Sequence, residues 1–178
     1  MIRFLGLVTS TLLVLSCLSL AQNEPKVDIF GGYQYTRVDT GVSGVDSINL
    51  NGWNAALNGY FTKNLGVSAD FSGAYGSPFG VSTKFHTFMF GPIVRFPNSS
   101  KITPFAHALF GGAHGDASVS GLGSTSDTAF AWAAGGGLDA NLSSRFAVRL
   151  AQADFLQTRF SSTSQNNFRY SAGIVIKF

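Results

Sequence analysis

The chain has 178 residues, 45% of them hydrophobic and only 12% charged, with 21 glycines, 17 Phe and a formal net charge of +3. So little charge beside so much apolar side chain excludes intrinsic disorder, and 12 Lys plus Arg against 9 Asp plus Glu argue against a nucleic-acid binder with its dense phosphate-facing stripe. A single Cys excludes an intramolecular disulfide framework or a cysteine-rich zinc module, and the length suits one domain.

Residues 1–21 read as a secretory signal peptide, leaving residues 22–178 as the folded domain. Arg3 supplies the positive start, Leu5 to Leu15 the apolar stretch, and Ala21 the small residue before a cut at Gln22. That stretch is short for a spanning helix, which needs about 20 apolar residues. Val14-Leu15-Ser16-Cys17 loosely resembles a lipoprotein cleavage box. Leu15 fits the box poorly, so Cys17 is read as part of the discarded signal.

The remaining chain alternates with period two in segments of about ten residues, the pattern of half-buried strands and of transmembrane β-barrels. Eight strands are expected. The first, 26–37, sets Val27, Ile29, Tyr33 and Tyr35 against Asp28, Gln34 and Thr36. The second, 49–61, sets Trp53, Ala55, Leu57 and Phe61 against Asn54 and Asn58. The third, 65–75, sets Leu65, Val67, Ala69, Phe71 and Tyr75 against Ser68, Asp70 and Ser72. In the fourth, 83–96, Phe88, Phe90 and Val94 share the apolar face. The fifth, 101–113, is ambiguous in parity; the preferred assignment turns Pro104, Ala106, Ala108 and Phe110 outward and His107 inward.

The sixth strand, 128–140, sets Phe130, Trp132, Ala134 and Leu138 against Asp139. The seventh, 145–159, starts with Phe146, Val148 and Leu150 opposite Arg149, then breaks parity at Gln152 and Asp154. A bulge near 150–152 would restore those polar residues to the minor face. The eighth, 168–178, sets Phe168, Tyr170, Ala172, Ile174, Ile176 and Phe178 against Arg169, Ser171, Gly173 and Lys177.

Short connections at 62–64, 97–100 and 141–144 alternate with longer polar ones at about 38–48, 76–82, 114–127 and 160–167. That is the layout of an up-and-down membrane barrel with short periplasmic turns and longer outer loops. The polar face is small and glycine-rich, as a narrow lumen requires. The apolar face carries aromatics near strand ends, where rings favour the membrane–water boundary. The fold rival is a soluble barrel with an apolar lumen.

Phe168-Arg169-Tyr170-Ser171-Ala172-Gly173-Ile174-Val175-Ile176-Lys177-Phe178 closes the chain on an aromatic residue after alternating apolar positions. It resembles the C-terminal signal recognised by the bacterial outer-membrane barrel assembly machinery, with Tyr170, Ile174, Ile176 and Phe178 as its positions. With Asn64-Leu65-Gly66-Val67, Phe90-Gly91-Pro92, Thr103-Pro104-Phe105 and Gly135-Gly136-Gly137-Leu138-Asp139, residues 22–178 resemble the small OmpA/OmpX-type outer-membrane β-barrel family. The resemblance implies an all-β, eight-stranded antiparallel up-and-down transmembrane barrel in the outer membrane of a Gram-negative bacterium. Its partners would be outer-membrane lipid, lipopolysaccharide and the assembly machinery, with no nucleic acid, and it would be a monomer. No soluble peptidoglycan-binding domain follows Phe178, so a wall-tethering role is not expected.

Asp70, Asp139, Arg149, Asp154 and Arg169 form the candidate site, since charges facing a narrow lumen must pair or meet water. Arg149 and Arg169, on adjacent strands, are expected to join Asp70 or Asp154, as a packing device or as a gate. No catalytic, cofactor-binding or metal-binding residues are assigned. The triple glycine lacks the following helix of a dinucleotide motif and is read as making room in the lumen. His86 and His114, expected beside the outer loops, could pair with serines at 118, 120, 124 or 126 in a lipid-modifying hydrolase or acyltransferase, but no spacing enforces the contact a nucleophile needs. The expected function is non-enzymatic: a structural or surface-interaction role through outer loops carrying Asp39, Asp46, Asp116 and Asp127. A narrow passive pore and the lipid-modifying enzyme are the alternatives.

Overall fold

The computed structural model describes residues 26–42, 45–119, 123–160 and 163–178. The expected signal segment, Cys17 included, lies outside the described residues. Eight strands follow one another: β1 (Val27–Val42), β2 (Val45–Tyr60), β3 (Leu65–Gly76), β4 (Val81–Arg95), β5 (Ile102–Val119), β6 (Gly123–Asn141), β7 (Phe146–Phe160) and β8 (Thr163–Lys177). Each pairs antiparallel with the next, and β8 returns to β1 from Asp28 opposite Lys177 to Arg37 opposite Phe168. The sheet is thus a closed barrel. Among the described residues no helix is long and apolar enough to cross a membrane; closure is what lets strands do so, because no edge is left with unpaired backbone in lipid.

The registers fix the barrel's dimensions. From Gly31, paired residues lead through Ala55, Phe71, Phe88, Gly112, Phe130, Arg159 and Ser164. Continuing the β8–β1 register returns to β1 at position 41, a stagger of ten residues. Eight strands with that stagger tilt by roughly 40° around a backbone radius of about 8 Å, which side chains can fill.

Alternation decides which residues fill it. Phe30, Gln34, Asn54, Asn58, Asp70, Met89, His107, Leu109 and Arg169 are buried inside, while Tyr33, Trp53, Leu57, Phe71, Phe90, Phe110, Phe130, Tyr170 and Ile174 are exposed outside. Assigning Ala106 and Phe110 outward and His107 inward on β5 agrees with this. So does the bulge. Arg149 faces Gly173 but Gln152 faces Ser171, and across the other edge Asp139 faces Arg149 while Leu138 faces Ala151. One extra residue therefore sits in β7 at Leu150–Ala151, both exposed, and Gln152 and Asp154 point inward.

The long outer loops require correction. β1 and β2 run to Val42 and from Val45, β5 and β6 to Val119 and from Gly123, β7 and β8 to Phe160 and from Thr163. Asp39, Asp116 and Asp127 therefore lie in strands, as does His114. Asp116 pairs with Ser126 and Ala117 with Thr125. These stretches lose apolar alternation but not backbone pairing, because both faces are wet above the lipid belt. Among the outer connections β3–β4 is described throughout; it is residues 77–80, with one 3-10 turn at Pro78–Gly80. The side chain of Asp46 is not among those described. At the other end the turns are short: Phe61 N–H and Thr62 N–H donate to the Leu65 carbonyl, and Leu142 N–H and Ser143 N–H to that of Phe146.

Candidate functional site

The lumen is stratified. At the end bearing the short turns, Arg95 donates to the Lys63 carbonyl (2.9 Å), lies 3.7 Å from Asp28 and stacks its guanidinium 3.8 Å over the Tyr60 ring. Beside it Lys177 donates to Asn141, which in turn donates to Thr103.

One layer further in, Arg149 clamps Asp139 with two bonds, Nε to Oδ1 at 2.8 Å and Nη2 to Oδ2 at 3.1 Å. Its guanidinium lies between the rings of Phe30 and Phe105, 4.3 and 4.1 Å from their centroids. The planar fork of Arg suits both contacts at once, which the compact ammonium of a Lys does not. A third bond, Nη1 to Gln152 Oε1 at 2.8 Å, carries the network upward, and Gln152 donates to Asp154 at 2.8 Å.

Arg169 is the centre. It donates from Nε to Asp154 Oδ2 at 2.7 Å and from Nη1 to Asp70 Oδ1 at 2.6 Å, so it spans the lumen from β8 to β7 on one side and to β3 on the other. Asn54 donates to the second oxygen of Asp70 at 2.9 Å. His107 Nε2 lies 2.8 Å from the second oxygen of Asp154.

Asp70, Asp139, Arg149, Asp154 and Arg169 thus meet in one connected set. Its wiring differs from the expectation in one respect. Arg169 takes both Asp70 and Asp154, whereas Arg149 bonds neither and reaches Asp154 only through Gln152. Asn54, His107 and Gln152 also belong to the set, although the sequence does not single them out as site residues. Parity places Asn54 inward, the preferred of two parities for the fifth strand does so for His107, and the bulge does so for Gln152. Partnership across the lumen needs the stagger, which no local pattern reveals.

Above the charges the lumen turns apolar. Val38, Leu50, Phe85, Met89, Leu109, Ala113, Ala131, Ala133 and Leu156 pack into one cluster. Arg169, Leu50, Met89 and Leu109 have no accessible surface.

On the outer face, His86 Nε2 lies 3.0 Å from Tyr75 Oη. His114 Nδ1 lies 2.8 Å from Thr128 Oγ1 and its Nε2 3.5 Å from Asp116. Among the described residues no group of three or more His, Cys, Asp or Glu could hold a metal ion.

A family model described as the outer membrane protein beta-barrel domain matches residues 7–178. The chain belongs to that family. This outer membrane beta-barrel resides in the bacterial outer membrane, and its apolar exterior is the lipid-facing side. No curated protein matches its sequence. Solved structures match its shape. Neisserial surface protein A (NspA) has a TM-score of 0.72 at 13% identity, over 88% of this chain and 100% of that one. Ail, the attachment invasion locus protein of Yersinia pestis, has a TM-score of 0.61 at 22% identity, over 85% and 99%. The N-terminal β-barrel domain of Pseudomonas aeruginosa OprF has 0.57 at 13%, over 86% and 98%. At these identities the outer membrane beta-barrel shares their fold.

Proposed function

We propose that this barrel is a closed, non-conducting and non-catalytic scaffold of the outer membrane that acts through the surface it presents at its outer end. The carrying observation is Arg169, wholly buried and held between carboxylates of two other strands, beneath an apolar layer. A pore needs a wetted path, and this lumen offers ion pairs and then hydrocarbon. The attachment from which Ail takes its name gives one precedent for a surface role on a barrel of this shape. Planar-bilayer recordings test the proposal. The expected result is no steady unitary conductance from the wild-type protein; a reproducible open level that Arg169→Ala enlarges would instead establish the narrow pore.

The absence of catalysis is part of the same reading. His114 engages Thr128 and Asp116, and both contacts are explained by ladder neighbours on an exposed face. Lipid A mass spectra from cells with and without the protein should be identical. A mass change abolished by His114→Ala would establish the enzyme instead. Two processing steps complete the proposal: removal of residues 1–21, and recognition of the stretch ending at Phe178 by the barrel assembly machinery. A mature N-terminus at Gln22, read by mass spectrometry, checks the first. Slower appearance of folded barrel after deletion of Phe178 checks the second.

A further inference from the structure

The outward face carries an arginine-bearing depression at the outer end of the β1–β8 seam. A depression of about 480 Å³ is lined there by Tyr35, Arg37, Asp39, Ser47, Asn166, Phe168 and Tyr170. Arg37 is exposed, and its one hydrogen bond among the described residues runs from Nε to Ser47 Oγ at 3.0 Å. Both terminal guanidinium nitrogens are therefore available to an anion. Asn166 accepts a bond from Gln157 on its carbonyl oxygen at 2.9 Å, and its amide N–H groups make no hydrogen bond among the described residues. Below Arg37, Tyr35 and Tyr170 stack with centroids 6.4 Å apart, and the exposed Phe168 ring extends this apolar floor.

The height of this seat matches a headgroup. Each residue climbs roughly 2.5 Å along the axis of a barrel tilted by about 40°, and each step to the next strand round climbs about 3 Å. Arg37 is ten residues above Val27, hence roughly 25 Å, the height of the lipid-facing band of such barrels. Followed along the pairings, Lys84 and Arg159 come to within about 5 Å of the same level. A cation just above a floor of rings meets a molecule whose phosphate is in water and whose chain is in hydrocarbon. Guanidinium matches phosphate oxygens in fork geometry and charge.

Building on the outer-membrane reading, we propose that Arg37, Ser47 and Asn166 seat the phosphate of an outer-leaflet lipid, with its acyl chain along Tyr35, Phe168 and Tyr170. Asp39 lines the aqueous edge of the depression and keeps the anion on the membrane side.

Native mass spectrometry of the detergent-folded protein tests this with phosphatidic acid, diacylglycerol of the same chains, inorganic phosphate and sucrose octasulfate as probes. The wild type should retain phosphatidic acid at least tenfold better than diacylglycerol. Arg37→Gln should abolish that preference, Arg37→Lys should restore part of it, and Arg145→Ala, in a turn at the opposite end, should keep it. An undiminished preference in Arg37→Gln overturns the seat. Arg37-dependent binding of inorganic phosphate or the sulfated sugar, without preference for the phospholipid, overturns the lipid as its occupant. Gel mobility before and after boiling separates the two levels. A wild-type protein that never shows a compact, heat-sensitive form in detergent fails as a membrane barrel; a folded barrel without an Arg37 effect fails only here.

Discussion

Arg169 shows what a single charge costs and returns inside a barrel of this width. Stripping a guanidinium of water is expensive, and the attraction of its partners compensates only when the geometry is good and the remaining polar atoms are bonded. The carboxylates meet them, since Asp70 and Asp154 each accept from Arg169 and from at least one further group, whereas Arg169 Nη2, 2.7 Å from Asp154 Oδ2, is held by charge alone and makes no hydrogen bond. Removing the cation alone leaves two buried carboxylates facing each other. Arg169→Met should therefore destabilise the folded barrel by about 3–5 kcal/mol, measured by urea unfolding in lipid vesicles; an unchanged midpoint would show the ion pairs to be incidental. Gly135 is the complement. A methyl group there would collide with the Ala153 carbonyl and with Asp154 Oδ1, so the missing side chain is what admits the His107–Asp154 contact. Gly135→Ala should cost about 1–3 kcal/mol as overpacking does. Gly31→Ala, whose added methyl meets nothing within 4 Å, should stay within about 0.5 kcal/mol. Equal effects from the two would remove the lumen argument.

Among the elements, β7 is the one whose pattern contradicts itself. Before the bulge its odd residue Arg149 points inward; after it the even residues Gln152, Asp154, Leu156 and Thr158 do. The extra residue at Leu150–Ala151 reconciles the halves, because one residue of slip exchanges the faces of a strand. Deleting Ala151 should turn either Arg149 or Asp154 toward lipid and abolish the folded, heat-sensitive band on gels. A Leu150→Ala change, which keeps the count, should preserve that band. This contradiction was legible in the sequence because Gln152 and Asp154 are too polar for the lipid side. Strand number, order and facing were legible for the same reason, since lipid imposes a strict alternation on every crossing segment. The outer strand ends were not. Thr125, Ser126 and Asp127 pair as well as any residues, but above the belt water accepts both faces and the alternation fades. The wiring of the charges was legible only in part. Asp70 and Arg169 sit 99 positions apart, and only the stagger of the whole barrel brings them together.

The molecule as a whole is inside-out relative to a soluble barrel, and that inversion gives the sharpest test of its environment. Leu57 and Leu142 are both exposed, at 50% and 72%, and an aqueous fold would treat them alike. Their positions differ. Leu57 lies in the apolar belt, about 8 Å above the level of Val27 and three residues from the end of β2, whereas Leu142 lies in the turn between β6 and β7, at the level where headgroups and water begin. Arg at the bilayer midplane of such a barrel costs about 2–4 kcal/mol, falling to about 0–1 near the interface. Leu57→Arg, short of the midplane, should therefore lose about 2 kcal/mol of folding free energy in vesicles, and Leu142→Arg about 1 kcal/mol or less. The difference should shrink when short-chain detergent replaces the bilayer, because a micelle lets water reach the arginine. Equal and small effects in vesicles would mean that Leu57 faces water, and the apolar exterior would then need a different explanation from lipid.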